Sequence, residues 1–563
     1  MTVQVAVVGI DGSGKSTLAA ALAVVLAAEH GLVAGSAVGD EFWIRAPELD
    51  LAAPRFHPQG YAVAARLNHL FRSLTRALVD NRALYPTAKV FQMLLQDNAA
   101  VKLSSKYHVD VMVSDGNMFV SGAGRALNYR GPADNPPTVD DVDRGIQHLL
   151  KGAPLPADSA GRLPDLRAAT AVAVIMRILH VQGIWVPDET VWLDLAPDAA
   201  MARVEGRGTK VDRHENPADL AKARDGYARV LEVVRRQKGP DSTHEIEVAS
   251  MRAGTVLSAA EETLLPRLPA AGADGSRHGV LHAATARTSL WRRVLTFRYL
   301  WRYLVRRFFE GAWREPLFAF SAPGRLFLRD GYSAGVMRAI YDQPARPDMM
   351  ALAFYGYPLH RAVRDRLAIL QRLVEAELRR RLEGGARVKV FTAPSGFAYD
   401  LLHPIARLAP DEAKRVDVVA ADLDPSGELG PELKGAAERA GCGFTFLRGD
   451  LTTSEFRVQA GGLGPFDMAL FIGLSAWLPK PPFLEHLKWL PTVLKPDGVL
   501  ITDSFTPAAY AIGGAAMGYR ASYYPPAVMR TLLDYCGFEG PSVKVESGPD
   551  GINHVLVATL TRT

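Results

Sequence analysis

The residues with the plainest chemical content stand near the amino end. Gly9-Ile10-Asp11-Gly12-Ser13-Gly14-Lys15-Ser16-Thr17 fits the spacing GxxxxGK[ST], directly after an apolar run and directly before TLAAALAVVLAA. Gly9, Gly12 and Gly14 let a backbone wrap around phosphates, so that N–H groups and a helix amino terminus supply donors and partial positive charge. In such a loop Lys15 reaches the β and γ phosphates of ATP and Ser16 holds Mg²⁺, with Ser13 and Thr17 completing the cradle. Asp115, at the end of a later apolar run, is a second Mg²⁺ candidate; the alternative is that it caps a turn. Arg207, Lys210 and Arg213 fall in one short segment. Closure of that segment would bring cations onto a transferring phosphoryl group, with Asp212 and Glu215 as their partners. Asp11, inside the loop, and Asp40, after the second apolar run, are further candidate catalytic carboxylates. Asp40 would take the proton of a hydroxyl acceptor.

A second set of candidates lies in the carboxyl-terminal third. Arg387 to Thr392 reads as a buried strand, and Ala393-Pro394-Ser395-Gly396-Phe397-Ala398 follows it where a nucleotide-like ligand meets strand ends. Val416 to Ala421 reads as the next strand and ends in Asp422-Leu423-Asp424-Pro425, where a carboxylate can accept both hydroxyls of a ribose. Phe444 to Leu447 leads to Arg448-Gly449-Asp450-Leu451, where a second carboxylate can accept an adenine amino proton. Tyr510, Tyr519, Tyr523 and Tyr524 are either substrate-recognising or packing aromatics.

Elements must hold these groups. Residues 1–268 alternate short apolar runs with amphipathic stretches, the pattern of a parallel sheet covered by helices. Strands are expected at Val3 to Val8, Leu32 to Val38, Val109 to Ser114, Glu189 to Leu195 and Glu245 to Ala249. The Pro-, Gly- and Asp-rich stretch from Arg130 to Asp165 suits a loop or lid. Residues 269–287, small and polar, suit a linker. Thr288 to Trp313 reads as one basic, aromatic helix. It is either a domain-docking helix with snorkelling arginines or a segment that rests on an anionic membrane surface or contacts RNA. Together with a helical cap that includes Ser333 to Tyr341, it fills residues 288–385. A second strand and helix alternation fills residues 386–563.

The 563 residues exceed what one core serves, and 48% hydrophobic against 22% charged residues mark an ordinary globular chain. Two cysteines, Cys442 and Cys536, exclude a disulfide framework and point to a reducing compartment. With VQVAVVG at the start in place of a signal-like segment, a cytoplasmic location is expected. A net charge of +5 does not demand nucleic-acid binding, so small-molecule substrates are the expected partners. Arg177, His180 and Gln182 interrupt Ala168 to Val186, which therefore reads as a buried helix and not as a membrane span.

The first set of motifs resembles the thymidylate kinases. Pro187-Asp188-Glu189-Thr190-Val191-Trp192-Leu193-Asp194-Leu195 is similar to their PDLTxxLD strand. Met201 to Gly208 and Asp212 to Glu215 are similar to LERIxxRG and DRxE, and Tyr227 falls where the next helix carries GY. The resemblance implies a P-loop kinase fold over residues 1–268, ATP and Mg²⁺ as cofactors, and a homodimer. Two departures bear on the acceptor. Ser114-Asp115-Gly116-Asn117 replaces an Asp-Arg pair, and Leu95-Gln96-Asp97-Asn98 replaces ADR. With both arginines gone and Asp40 in the place of the REPG motif, a hydroxyl acceptor is expected over thymidine monophosphate.

The second set resembles class I S-adenosylmethionine-dependent methyltransferases. Their DxSP element is similar to Asp422 to Pro425, their GD to Gly449-Asp450, their LKPGG turn to Leu494 to Gly498, and their LLxxxGF helix to Leu532 to Phe538. The resemblance implies a Rossmann-like fold and S-adenosylmethionine held by Ala393, Ser395, Gly396, Asp422, Leu423, Asp450 and Leu451. The expected class is thus α/β, two parallel-sheet three-layer domains. The expected function is a bifunctional enzyme that phosphorylates a small molecule, nucleotide or nucleoside first, and transfers a methyl group. The alternatives are the same activities on a saccharide or lipid intermediate at a membrane surface, or a non-catalytic sensor of both ligands.

Overall fold

The computed structural model describes residues 2–39, 41–48, 50–51, 63–78, 81, 84–122, 137–151, 153–163, 186–206, 215–271, 312–506 and 522–560. Asp40, Arg207, Lys210, Arg213, residues 168–185 of the apolar stretch, residues 288–311 of the basic aromatic segment, Tyr510 and Tyr519 lie outside them. The chain divides into two compact units, Met1–Thr288 and Ser289–Thr563.

The first unit is built on seven strands: β1 (Val3–Val8), β2 (Ala34–Val38), β3 (Glu41–Arg45), β4 (Asp50–Leu51), β5 (Val111–Ser114), β6 (Glu189–Asp194) and β7 (Thr243–Glu247). Their order is β4-β3-β2-β5-β1-β6-β7. From β2 to β7 every pairing is parallel. The central strands are continuous apolar runs because both faces are covered, and Val5 to Val8 are wholly buried. The helix Lys15–Glu29 that follows the glycine loop is rich in Ala and Leu and packs on β1, β2, β5 and the helix Ala253–Leu264. Covered this completely, it buries every residue from Leu18 to Ala28 except Ala20. Within the stretch expected as a lid, the described residues hold helices Val139–Lys151 and Ala157–Arg162.

The sheet is not wholly parallel. Gly39, at φ 60°, starts a reversal, and β3 and β4 run antiparallel at one edge. The positive φ suits a tight hairpin that sets apolar Phe42 and Ile44 into the core. The last strand begins at Thr243 and not at Glu245, because its register with β6 pairs Thr190 with Thr243.

The second unit has strands β8 (Val388–Thr392), β9 (Val416–Asp422), β10 (Gly443–Arg448), β11 (Phe466–Phe471), β12 (Leu494–Phe505), β13 (Lys544–Ser547) and β14 (Asn553–Thr559), in the order β10-β9-β8-β11-β12-β14-β13. The first five are parallel; β14 and β13 close the sheet antiparallel, a second departure from the all-parallel expectation. The parallel-rich α/β class is common to both units. Helix Pro358–Leu382 turns Leu370, Val374, Leu378 and Leu382 inward at four-residue spacing and leaves its Arg-rich face outside. Ahead of it, helices Ala322–Asp330, Ala334–Tyr341 and Ala351–Tyr355 gather Phe318, Phe327, Phe354 and Tyr357 around buried His360. Among the described residues no helix is long and apolar enough to cross a membrane.

Candidate functional site

In each unit a cavity lies at the carboxyl ends of the parallel strands. In the first, a cavity of about 580 Å³ opens where the loop after β1 meets the ends of β2 and β5. Gly9, Gly12 and Gly14 all have positive φ, at 156°, 89° and 90°. A Cβ at Gly12 would stand 2.7 Å from the Ala200 carbonyl oxygen, so this backbone path accepts no larger residue without a shift. Gly14 hands the chain into the helix at Lys15, and no side chain caps that terminus. Its first N–H groups therefore remain donors for an anion.

Ser16 Oγ donates to Asp115 Oδ2 at 2.7 Å, so two oxygens 99 positions apart meet at the foot of the cavity. Asp115 Oδ1 accepts from Gly39 N at 3.1 Å and from Gln96 Nε2 at 3.0 Å, which fixes the carboxylate. Two hard oxygens with open coordination beyond them suit Mg²⁺, which keeps waters and phosphate oxygens as its remaining ligands. Among the described residues no trio of His, Cys, Asp or Glu forms an all-protein metal cage. Lys15 Nζ pairs with Asp11 Oδ1 at 2.9 Å and also donates to the Ile10 carbonyl at 3.3 Å. Gly12, Gly14 and Thr17 line the cavity with them, whereas Ser13 is buried behind the loop.

The opposite wall comes from helices Val63–Ala77 and Tyr85–Tyr107, which supply Arg72, Arg76, Tyr85, Lys89, Gln92 and Gln96. Gln92 Nε2 links Gln96 Oε1 and Asn68 Oδ1, and Lys89 Nζ donates to Gln92 Oε1. The Arg72 guanidinium lies against Gly39. Arginine therefore lines the cavity even though both expected positions lack it. Cations absent from the two expected positions enter from another helix. Their signal in the sequence is the four-residue spacing of Arg72 and Arg76 on an amphipathic stretch. The substituted positions have other work: Asn117 Nδ2 donates to Asp97 Oδ2 at 3.1 Å. Asp194, at the tip of β6, holds Arg224 through both oxygens.

In the second unit a cavity of about 300 Å³ lies over the ends of β8, β9 and β11, under helices Ala334–Tyr341 and Pro358–Leu382. Ser395, Gly396 and Asp422 line it. Asp422 Oδ2 accepts from Gly396 N and Oδ1 from Leu423 N, both at 2.8 Å, leaving a lone pair on each oxygen for a diol. Gly396 sits at φ 45°, and a Cβ there would meet nothing within 4 Å. The single glycine therefore serves backbone conformation. Tyr341, Trp477, Phe505 and Tyr523 give the cavity flat apolar walls. Ser333 caps the covering helix through Val336 N, and Ala334, Met337 and Tyr341 face the cavity from it.

Four expected residues do not line this cavity. Leu423 points to solvent, and Leu451 and Ala393 are packed inside. Asp450 closes its own turn by accepting from Thr452 N and Oγ1, at 2.9 and 2.8 Å. Short turns after strands favour such local capture of an Asp. Asp424 likewise accepts from Leu429 N and Gly430 N at the start of the next helix. Arg366, Asp400 and Asp503 belong to none of the sequence motifs above. Arg366 and Asp400 line the cavity, and Arg366 pairs with Asp503, 137 positions away.

Neither a protein-family model nor a curated protein matches the chain. Among solved structures it is similar to a possible exported protein from Bordetella parapertussis, at 21% identity over 44% of this chain and 85% of the other, with a TM-score of 0.35. It is also similar to magnesium protoporphyrin IX methyltransferase from Synechocystis with bound S-adenosylhomocysteine, at 16% identity over 42% and 96%, TM-score 0.30. A third is 1,6-didemethyltoxoflavin-N1-methyltransferase from Burkholderia thailandensis, at 20% identity over 34% and 79%, TM-score 0.26.

Proposed function

We propose that the chain is a two-site transferase: its first unit moves the γ-phosphoryl group of ATP to a small anionic acceptor, and its second moves a methyl group from S-adenosylmethionine. The observation that carries the first half is the 2.7 Å contact of Ser16 Oγ with Asp115 Oδ2, beside Lys15 and a glycine loop of positive φ. Ser16 and Asp115 would hold Mg²⁺, which would supply charge to offset that on the β and γ phosphates. Lys15 exchanges the Asp11 carboxylate for a phosphate oxygen, and the loop N–H groups hold the remaining phosphates in line. Arg72, Arg76 and Lys89 suit an acceptor that is itself negative, which favours a nucleotide over a nucleoside. Such an acceptor needs no base, so catalysis rests on positioning and charge.

In the second unit Asp422 holds the ribose diol, and the aromatic walls take the adenine and exclude water. The cofactor supplies an electrophilic methyl group; this chain's part is to orient it toward an acceptor, since an in-line displacement depends chiefly on alignment. The test is purified full-length chain with Mg-ATP against nucleoside monophosphates, nucleosides and sugars, and with labelled S-adenosylmethionine against the same panel. Lys15→Ala is expected to lower phosphoryl transfer by roughly 10³-fold. Unchanged transfer in that variant, or no turnover of any acceptor by the parent, ends the kinase reading.

A further inference from the structure

The second cavity has two chemically different ends. Asp422 stands at the tip of β9 and Phe505 at the tip of β12, and both line it. The strand order β9-β8-β11-β12 separates those tips by three strand spacings, about 14 Å. A diol held on Asp422 therefore leaves the β12 end to something else. That end is built of rings. Tyr332, just ahead of helix Ala334–Tyr341, meets Trp477, from the loop after β11, with ring centroids 6.2 Å apart and planes at 43°. The Ala476 carbonyl accepts from Ser522 N at 2.8 Å and the Phe505 carbonyl from Tyr524 N at 3.1 Å, so Tyr523 is carried between the loop after β11 and the end of β12. All four rings line the cavity. Trp477 does so while 41% exposed, which puts its ring at the mouth.

Charge decides what those rings can hold. Among the described lining residues only Arg366, Asp400 and Asp422 are charged. The two carboxylates repel a further anion. Arg366 is tied to Asp503 Oδ2 at 2.7 Å and to the Tyr341 hydroxyl at 3.1 Å. Among the described residues the cavity thus offers a phosphate no cation beyond one that a carboxylate already holds, and burying an anion without a partner is strongly unfavourable. The first cavity is the opposite case, since Arg72, Arg76 and Lys89 line it. An uncharged ring, by contrast, buries both faces against flat apolar walls and gains stacking as well as area.

We propose that the methyl acceptor of the second unit is a flat, uncharged aromatic molecule bearing a hydroxyl, stacked among Tyr332, Trp477, Phe505 and Tyr523, and chemically distinct from the anionic acceptor of the first unit. The proposal rests on the S-adenosylmethionine reading above and divides the walls: Phe397 and Tyr399, beside Gly396, stay with the adenosyl group. The acceptor oxygen forms its bond to the methyl carbon as the carbon–sulfur bond breaks with its electron pair left on sulfur. The hydroxyl proton leaves to water at the mouth.

The experiment incubates the full chain with methyl-labelled S-adenosylmethionine and naphthol, hydroxyquinoline or catechol, against adenosine monophosphate and glucose phosphate, while calorimetry measures binding of S-adenosylmethionine itself. Label is expected on one or more of the rings and on neither phosphate. Trp477→Ala is expected to weaken that ring by about tenfold or more, the worth of an aromatic stacking contact, and to leave S-adenosylmethionine binding unchanged. Trp477→Phe should recover most of the loss. Binding of S-adenosylmethionine with no label on any ring, or label on the phosphates at an equal rate, overturns the proposal and leaves the cofactor reading standing. Equal weakening of the ring and of S-adenosylmethionine by Trp477→Ala also overturns it, as a purely structural role would. If S-adenosylmethionine does not bind, the cofactor reading falls and the acceptor site with it. The acceptor series on the parent chain decides the matter even where a variant does not fold.

Discussion

Asp115 divides its two oxygens between the Ser16 hydroxyl and two N–H donors that position it. Asp115→Asn keeps the shape and removes the charge, so ATP binding measured without Mg²⁺ should persist. The Mg²⁺ concentration for half-maximal turnover should rise by roughly tenfold or more, read from a metal titration of the rate. Asp400 offers a different residue-scale test. Burial lifts its carboxyl from 3.8 to about 6 in the folded chain. The native state then holds a proton that the unfolded state has lost, so this residue's contribution to stability falls as pH rises from about 4 to 6 and stays low above that. Asp400→Asn should therefore raise the melting temperature of the second unit at pH 8 and change it little at pH 3.5. Calorimetric scans at both values decide it.

Elements place these groups through their ends and their buried stripes. The glycine loop joins a strand end to a helix start, and the Ala200 carbonyl blocks any Cβ at Gly12. Gly12→Ala is expected to weaken ATP binding by more than about tenfold, because both the positive φ and the close approach resist it. An unchanged titration would refute that view of the loop. Helix Lys480–Val493 buries His486 against Phe471 and Trp489, with neither ring nitrogen hydrogen-bonded among the described residues. Burial lowers its pKa from 6.5 to about 3, so the native state binds fewer protons than the unfolded one. Stability is lost as pH falls from about 6.5 toward 3. His486→Leu, which leaves no polar atom unmet, should stabilise the second unit by about 1–3 kcal/mol and flatten its acid limb in denaturant unfolding at pH 4 to 7.

At the scale of the whole molecule, two compact units each own a sheet, a core and a strand-end cavity. The expected signature is two separable binding events on one chain. Lys15→Ala should abolish the nucleotide event in calorimetry and spare S-adenosylmethionine, and Asp422→Ala should do the reverse. A variant that removed both events would show that the cavities are not separate ligand sites.

The glycine loop after β1 was legible because it lies in nine consecutive residues. Local backbone freedom at Gly12 and Gly14, with a strand before and a helix after, is enough to specify the path of that loop. Asp422 was legible for a similar reason, since a carboxylate ending an apolar run lands at a strand tip. Asp450 ends such a run too, yet the neighbouring Thr452 captures it, a competition between local turn and ligand that strand pattern does not resolve. The antiparallel edges were missed because EFWIR and the last strands carry the same apolar runs as parallel ones, and direction depends on how the connections close. What only tertiary structure decided was convergence. Arg72 reaches Gly39 from another helix, Gln96 holds Asp115, and Arg366 meets Asp503 across 137 positions. Such contacts follow from strand order and helix packing, which bring distant side chains to one end of a sheet and leave no periodic trace along the chain.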